Sequence, residues 1–125
     1  MKRSWMGLGL LIILLILGLV TGSLMERIHH PVANALQQAA GLAQAGLWEQ
    51  AGAEARAAEQ EWEKWSALRN CMADHTPVED AEGLFAQLDI YCKEEDAHFA
   101  AVCQELARKV EAIGQAHGLN VWNIL

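Results

Sequence analysis

The sequence has few of the cysteines that cross-link small secreted proteins and few of the basic residues that bind nucleic acid. Its 125 residues include three cysteines, two prolines and nine lysines or arginines. Three cysteines, Cys71, Cys92 and Cys103, are too few for a disulfide framework, and no CxxC pair occurs. The nine basic residues face sixteen acidic ones. Because such a surface repels phosphates, nucleic acid is excluded as a partner.

The signatures of strands and of common enzymes are also missing. No segment shows the period-two alternation of β-branched residues that is typical of strands. No phosphate loop, dinucleotide fingerprint or hydrolase elbow occurs. We therefore expect a protein that is not an enzyme, with no catalytic, cofactor-binding or metal-binding residues and no cofactor. Abundant Ala, Leu, Glu and Gln favour an all-α fold.

The longest stretch without a charge lies near the N-terminus, from Ser4 to Met25. As a helix it extends roughly 33 Å, enough for a hydrocarbon core of about 30 Å. We predict a cytoplasmic stub and transmembrane anchor over residues 1–25, with residues 5–24 in the membrane. Lys2 and Arg3 precede the span, so the N-terminus should be cytoplasmic and the domain extracytoplasmic in a single-pass cell-membrane protein.

Two other interpretations of this segment remain open. A basic start and an apolar stretch also describe a cleaved signal peptide, and residues 21–23 are small enough for cleavage, which would give a secreted protein. The uncharged stretch is longer than a typical signal core and no A-x-A sequence ends it, so retention is favoured. Gly18 and Gly22 match the small-xxx-small pattern of dimerising membrane helices, which makes a homo-oligomer a weaker possibility.

Residues 26–125 carry a formal charge of −9, from seven basic and sixteen acidic residues, and their apolar positions recur at helical spacing. This pattern predicts an antiparallel bundle of about four helices, arranged as two hairpins. The first two apolar stripes consist of Ile28, Val32, Ala35, Ala39 and Leu42, then Trp48, Ala51, Ala55, Ala58, Trp62 and Trp65. Pro31 should begin the first soluble helix or kink a continuous one. The second should be the longest and the first should end near Gly46.

The last two helices follow a break at residues 73–77. Thr76 is expected to cap the third helix, with Pro77 at its first position and its end near Glu94. Asp96 should cap the fourth helix, which should close near Gly118. Their stripes consist of Val78, Ala81, Leu84 or Phe85, Leu88 and Tyr91, then Phe99, Val102, Leu106, Val110 and Ile113.

Several pairs of polar residues are candidates for reactive sites. Glu26 with His29, and Glu95 with His98, share the spacing found in di-iron bundles, but they fall at a membrane edge and a turn. Zinc sets drawn from His29 and His30, or from Cys92, His98 and Cys103, lack an accepted spacing. Asp74 and His75 lie in a turn without a nucleophile at a recognisable spacing. These arguments weaken the alternative function but leave it open: a metal-binding or redox-sensing bundle that uses Glu95, His98 and the cysteines.

The C-terminal stretch, residues 119–125, is unusually apolar. Trp122 and Leu125 are expected to cover the end of the bundle, with contact to a partner or to the membrane as the alternatives. The sequence also leaves open whether Cys92 and Cys103, on either side of the last turn, form a disulfide.

With the span, the MERIHHPV junction, the AGLWEQA turn, the GLFAQLDIY helix and the AHGLNVWNIL ending in place, the chain resembles a family of small membrane-anchored proteins from spore-forming Firmicutes. That family is a domain of unknown function, so the resemblance supplies no catalytic or binding residues. It implies bacterial origin, membrane attachment, an all-α domain and a membrane protein as partner. Our hypothesis is a non-enzymatic interaction module in the cell envelope.

Overall fold

The structure, a computed structural model, describes residues 2–72 and 75–124, with the side chains of these residues except 68, 71, 72, 75 and 116–124. Within these ranges the chain is all-α, with no strand. Four long helices and one short one follow each other along the chain: α1 Lys2–Gln44, α2 Trp48–Lys64, α3 Ser66–Met72, α4 His75–Lys93 and α5 His98–Ile124. The all-α prediction is confirmed.

The 43 residues of α1 form one helix that joins the apolar N-terminal stretch to the bundle. Pro31 lies inside it, so of the two expectations for this proline, a separate soluble helix is wrong. Pro31 is exposed and removes only one backbone donor, which the flanking turns tolerate. Among the described residues, α1 is the one helix long and apolar enough to cross a membrane, a property that a signal sequence shares.

The turn between α1 and α2 places these helices side by side and antiparallel. Gly46 adopts a φ of 80°, which reverses the chain at little steric cost, and this agrees with the predicted end of the first helix. α1 and α2 pack against each other, and both contribute small side chains to the core, which favour close approach of neighbouring backbones: Ala39, Ala40, Ala43, Ala51, Ala55 and Ala58.

The prediction that the second helix is the longest is wrong. α2 has 17 residues, and the chain leaves the helical conformation at Trp65 before the seven residues of α3. No glycine or proline marks this break in the sequence. Trp62 is buried, whereas Trp65 is only half-buried at the end of α2.

The third and fourth predicted helices are α4 and α5, and their termini agree with the sequence in part. α4 begins at His75, so Thr76 and Pro77 lie within its first turn and Thr76 is not its N-cap. The Asp96 carboxylate accepts the His98 N–H at 2.9 Å, which confirms Asp96 as the cap of α5. Buried side chains of both helices join the core: Val78, Ala81, Phe85, Leu88, Phe99, Leu106, Val110 and Ile113.

α5 does not close near Gly118 but continues to Ile124. It packs antiparallel to α1: its first turn lies beyond the C-terminal end of α1, where Phe99 contacts Trp48 at the start of α2, and Gly114 lies against Met25 and His29 of α1. Ten residues beyond Gly114 carry the helix axis roughly 15 Å further towards the N-terminal half of α1. Leu125 and the Trp122 side chain, which were expected to cover the bundle end, lie outside the described residues.

Candidate functional site

The contacts between helices are uneven around the bundle. α1 packs extensively against α2 and α5, and α4 packs against α5, whereas α2 and α4 touch at few points. A small cavity of about 20 Å³ lies in this α2–α4 groove. Gly52 and Cys92 close one end of it, because a Cβ at position 52 would lie 2.8 Å from the Cys92 sulfur. The groove is therefore the open side of the bundle.

Glu59 of α2 and Asp89 of α4 line this groove together with Arg56. Glu63, one turn further along α2, lies close enough to act on the Glu59 carboxyl, and we call Glu59, Glu63 and Asp89 the acidic seam. Burial raises the pKa of the Glu59 carboxyl, and the like charges of Glu63 and Asp89 raise it further. Asp89 also pairs with Lys93 at 3.0 Å on its own helix, where both side chains are exposed. Like charges held close together repel each other, so the seam favours a cation over an anion.

Cys92 and Cys103, candidates for a disulfide or a redox pair, are both free thiols here. Cys92 is half-buried and its thiol lies 3.6 Å from the backbone oxygen of Trp48. Cys103 is fully buried, and burial, together with the nearby Cys92, raises its pKa to about 12. A thiol with such a pKa is a poor nucleophile and a poor metal ligand at neutral pH.

The two Glu-x-x-His pairs lie at opposite ends of the bundle. Glu26 and His29 border the same cavity between α1 and α5, near Gly114. His98 lies at the other end of α5, sixteen residues before Gly114 and roughly 24 Å away along the helix, and Glu95 lies in the turn before α5. His98 pairs instead with Asp96 at 2.7 Å. The pairs are therefore too far apart to assemble a di-iron site.

The other candidate residues from the sequence do not assemble into a site among the described residues. Among residues with described side chains, no three His, Cys, Asp or Glu groups are placed to hold a metal ion, which leaves the zinc sets without support. Asp74 and the His75 side chain lie outside the described residues. Gly22, proposed for dimerisation, is buried within the single chain, and Gly18 is half-buried.

Sequence reasoning missed a cluster around Trp62. Its ring lies 5.7 Å from those of His29 and Phe85, and the Arg69 guanidinium lies 3.5 Å from its centre. Arg69 is 1% exposed, and no hydrogen-bond acceptor for its guanidinium is present in the part of the chain that the structure describes. The sequence gives no signal that Arg69 is buried, because its position depends on the helix break at Trp65, which no glycine or proline indicates.

Comparison with known proteins gives one match. Residues 20–124 match the model of a family described as a domain of unknown function (DUF4363). A search of curated proteins found no match, and a search of solved structures found none.

Proposed function

The chain belongs to the DUF4363 family, whose function is unknown, and we propose that it is a non-enzymatic, membrane-tethered module that binds another envelope protein. The observation that carries this proposal is the acidic seam on the open side of the bundle. The Glu59 carboxylate is repelled by Glu63 on its own helix and by Asp89 on α4, at a contact where few residues of α2 and α4 meet. A basic segment of a partner would relieve this repulsion.

The tether supports the same role. α1 continues from the apolar stretch into the bundle without a break, so a membrane-spanning α1 would hold the acidic seam at a fixed height. Lys2 and Arg3 before the span and the balanced Glu26 and Arg27 after it favour a cytoplasmic N-terminus and an extracytoplasmic domain. The partner is then a membrane or envelope protein with an outward-facing basic segment.

Site-directed photo-crosslinking in living cells tests the partner. The full chain carries a photoreactive residue at Glu63, in the acidic seam, or at Glu105, which is exposed on α5 away from it. We expect position 63 to capture a discrete protein and position 105 to capture none. Repeated failure of both to capture a protein, with a monomer on sizing of the detergent-solubilised chain, contradicts the proposal.

Matched charge variants test whether partner binding depends on the acidic seam or only on the overall negative charge of the domain. The triple variant Glu59→Gln, Glu63→Gln, Asp89→Asn removes three charges at the groove, whereas Glu49→Gln, Glu94→Gln, Glu105→Gln removes three charges elsewhere on the surface. We expect recovery of the partner in pull-downs to fall several-fold for the first variant and to stay unchanged for the second. Equal losses would show that only net charge matters.

Membrane topology has its own test. A single cysteine replaces Glu49 in a chain whose three native cysteines are serines, and intact cells are treated with a thiol reagent that does not cross membranes. Labelling of intact cells supports an outward domain, and labelling only after lysis shows that it faces inward. The mass of the mature protein distinguishes a retained anchor from a cleaved signal.

A further inference from the structure

A second polar feature lies far from the acidic seam, at the junction between the apolar stretch and the bundle. It is a cavity of about 180 Å³ between α1 and α5, lined by Glu26, His29, His30, Glu111, Gly114 and Gln115. We name it the junction pocket. At about 30 Å³ per molecule, it has room for about six waters or for a small organic group.

The junction pocket follows from how α1 and α5 meet. A Cβ at position 114 would lie 3.1 Å from the His29 Cβ and 3.4 Å from the Met25 oxygen, so only glycine permits this approach without adjustment. The Nδ1 of His29 lies 2.6 Å from the Met25 oxygen, which fixes the ring against its own helix. Glu26 from α1 and Glu111 from α5 both line the pocket.

The charges of the lining residues select the ligand. Glu26 and Glu111 contribute two carboxylates, and no lysine or arginine lines the pocket. An anion is therefore repelled, while among residues with described side chains no group of three is placed to hold a metal ion. A primary ammonium carries one positive charge and three donors, which suit two carboxylates and the amide oxygen of Gln115. We propose that the junction pocket binds a primary ammonium group.

The position of the pocket indicates where such a group is found. Glu26 is the first charged residue after the uncharged stretch, and residues 26–30 rise about 6 Å along α1. That rise is close to the thickness of one head-group layer, about 5 to 7 Å. If α1 spans a membrane, the pocket lies among lipid head groups, and the ammonium of an ethanolamine lipid reaches it. A free amine carries the same chemistry, and binding at this pocket is independent of the acidic seam.

Histidine-ring NMR of the full chain in detergent micelles measures binding, because His29 and His30 line the pocket. Ethylammonium chloride should shift their signals saturably, with a dissociation constant on the order of millimolar for ion pairs at a partly exposed site. Tetramethylammonium chloride, which has no N–H donor, should give at most a small shift at equal ionic strength. Equal shifts with both salts would show that only charge is sensed and would overturn the proposal.

Variants locate the binding. Glu26→Gln and Glu111→Gln should each weaken binding about three- to tenfold, while Glu105→Gln, on the same face of the membrane but outside the pocket, should not change it. Thermal melts by circular dichroism confirm that each variant folds. If the two pocket variants bind as tightly as Glu105→Gln, the ammonium does not bind at the junction pocket.

A comparison of two nanodisc samples identifies the source of the ammonium group. The chain is placed in nanodiscs of phosphatidylethanolamine or of phosphatidylcholine, each with the same fraction of phosphatidylglycerol. Ring shifts that appear with ethanolamine lipid and vanish in Glu111→Gln assign the ligand to a head group. Shifts caused by ethylammonium alone assign it to a soluble amine, and the absence of any saturable shift with either probe overturns the proposal.

Discussion

The guanidinium of Arg69 stacks on the indole of Trp62, 3.5 Å from the ring centre, in the interior of the bundle. Within the described part of the chain the Arg69 guanidinium has no hydrogen-bond acceptor. A buried cation in that situation is costly, and the attraction of the aromatic face offsets only part of the cost. Burial lowers the pKa of Arg69, and the nearby Glu82 carboxylate opposes this shift. Arg69 thus appears in the fold as a source of instability rather than of stability.

Replacing Arg69 with methionine should therefore not harm the fold. Methionine keeps much of the apolar stem and removes the desolvated charge, so we expect Arg69→Met to raise the free energy of unfolding by about 1 kcal/mol. Urea denaturation of the detergent-solubilised chain measures it. Arg108→Met, at an exposed position on α5, is the control and should be neutral. A loss above about 1 kcal/mol for Arg69→Met would show that the guanidinium has a stabilising partner.

Two glycines provide a matched test of the α1–α5 contact. Gly83 lies inside α4 with nothing within 4 Å of an added Cβ, so Gly83→Ala should stabilise the protein by about 0.5–1 kcal/mol. Gly114 faces His29 and the Met25 oxygen, and Gly114→Ala should lose at least about 1 kcal/mol relative to Gly83→Ala. Thermal melts of both variants measure this difference. Equal stabilisation would mean that α5 does not approach α1 this closely.

Cys103 predicts a loss of stability at alkaline pH. Its pKa is raised to about 12 in the fold, whereas a thiol in the unfolded chain titrates near 9. The unfolded state therefore releases a proton first, and the stabilisation present below pH 9 is lost as the pH rises towards 12. The stability difference between the wild type and Cys103→Ala should shrink by about 1 kcal/mol between pH 8 and pH 10. A difference independent of pH would contradict the burial of this thiol.

The lowered pKa of Asp96 predicts a loss of stability at acidic pH. The His98 backbone N–H and then the His98 side chain lower the pKa of its carboxyl below 3.8. The stabilisation that the Asp96 carboxylate contributes is fully present above that value, and it is lost as the pH falls through the pKa of the folded state. Asp96→Ala should lower the melting temperature at pH 7 and flatten its dependence on pH below 4. Asp80→Ala, exposed on α4, should leave both unchanged.

The apolar stripes were predictable because helical periodicity reports directly which face is buried. Ala51, Ala58, Leu106 and Val110 all lie in the core as the spacing indicates. Asp96 was predictable for a similar reason, since an acidic side chain before a helix has one simple use, to accept a backbone N–H.

The errors have two physical causes: at some positions packing overrides a local signal, and at others the structure has no local signal. Gly118 was expected to end the last helix, and Pro31 either to begin a helix or to kink a continuous one. α1 and α5 continue through both positions, and they pack extensively against each other. The break at Trp65 has no local signal at all. Likewise, the acidic seam depends on Glu59 and Asp89 meeting across two helices, and a single sequence does not reveal that contact.

Because α1 is one unbroken helix, the bundle is attached rigidly to the N-terminal apolar stretch. From Glu26 to Gln44 the helix rises roughly 28 Å, and in a bilayer any tilt of the span is transmitted to this arm. Membrane helices tilt by about 20° on average and adjust to bilayer thickness. If α1 spans a membrane, a change of about 10° in tilt moves the far end of this arm by about 5 Å, and bilayer thickness then determines the position of that end of the bundle.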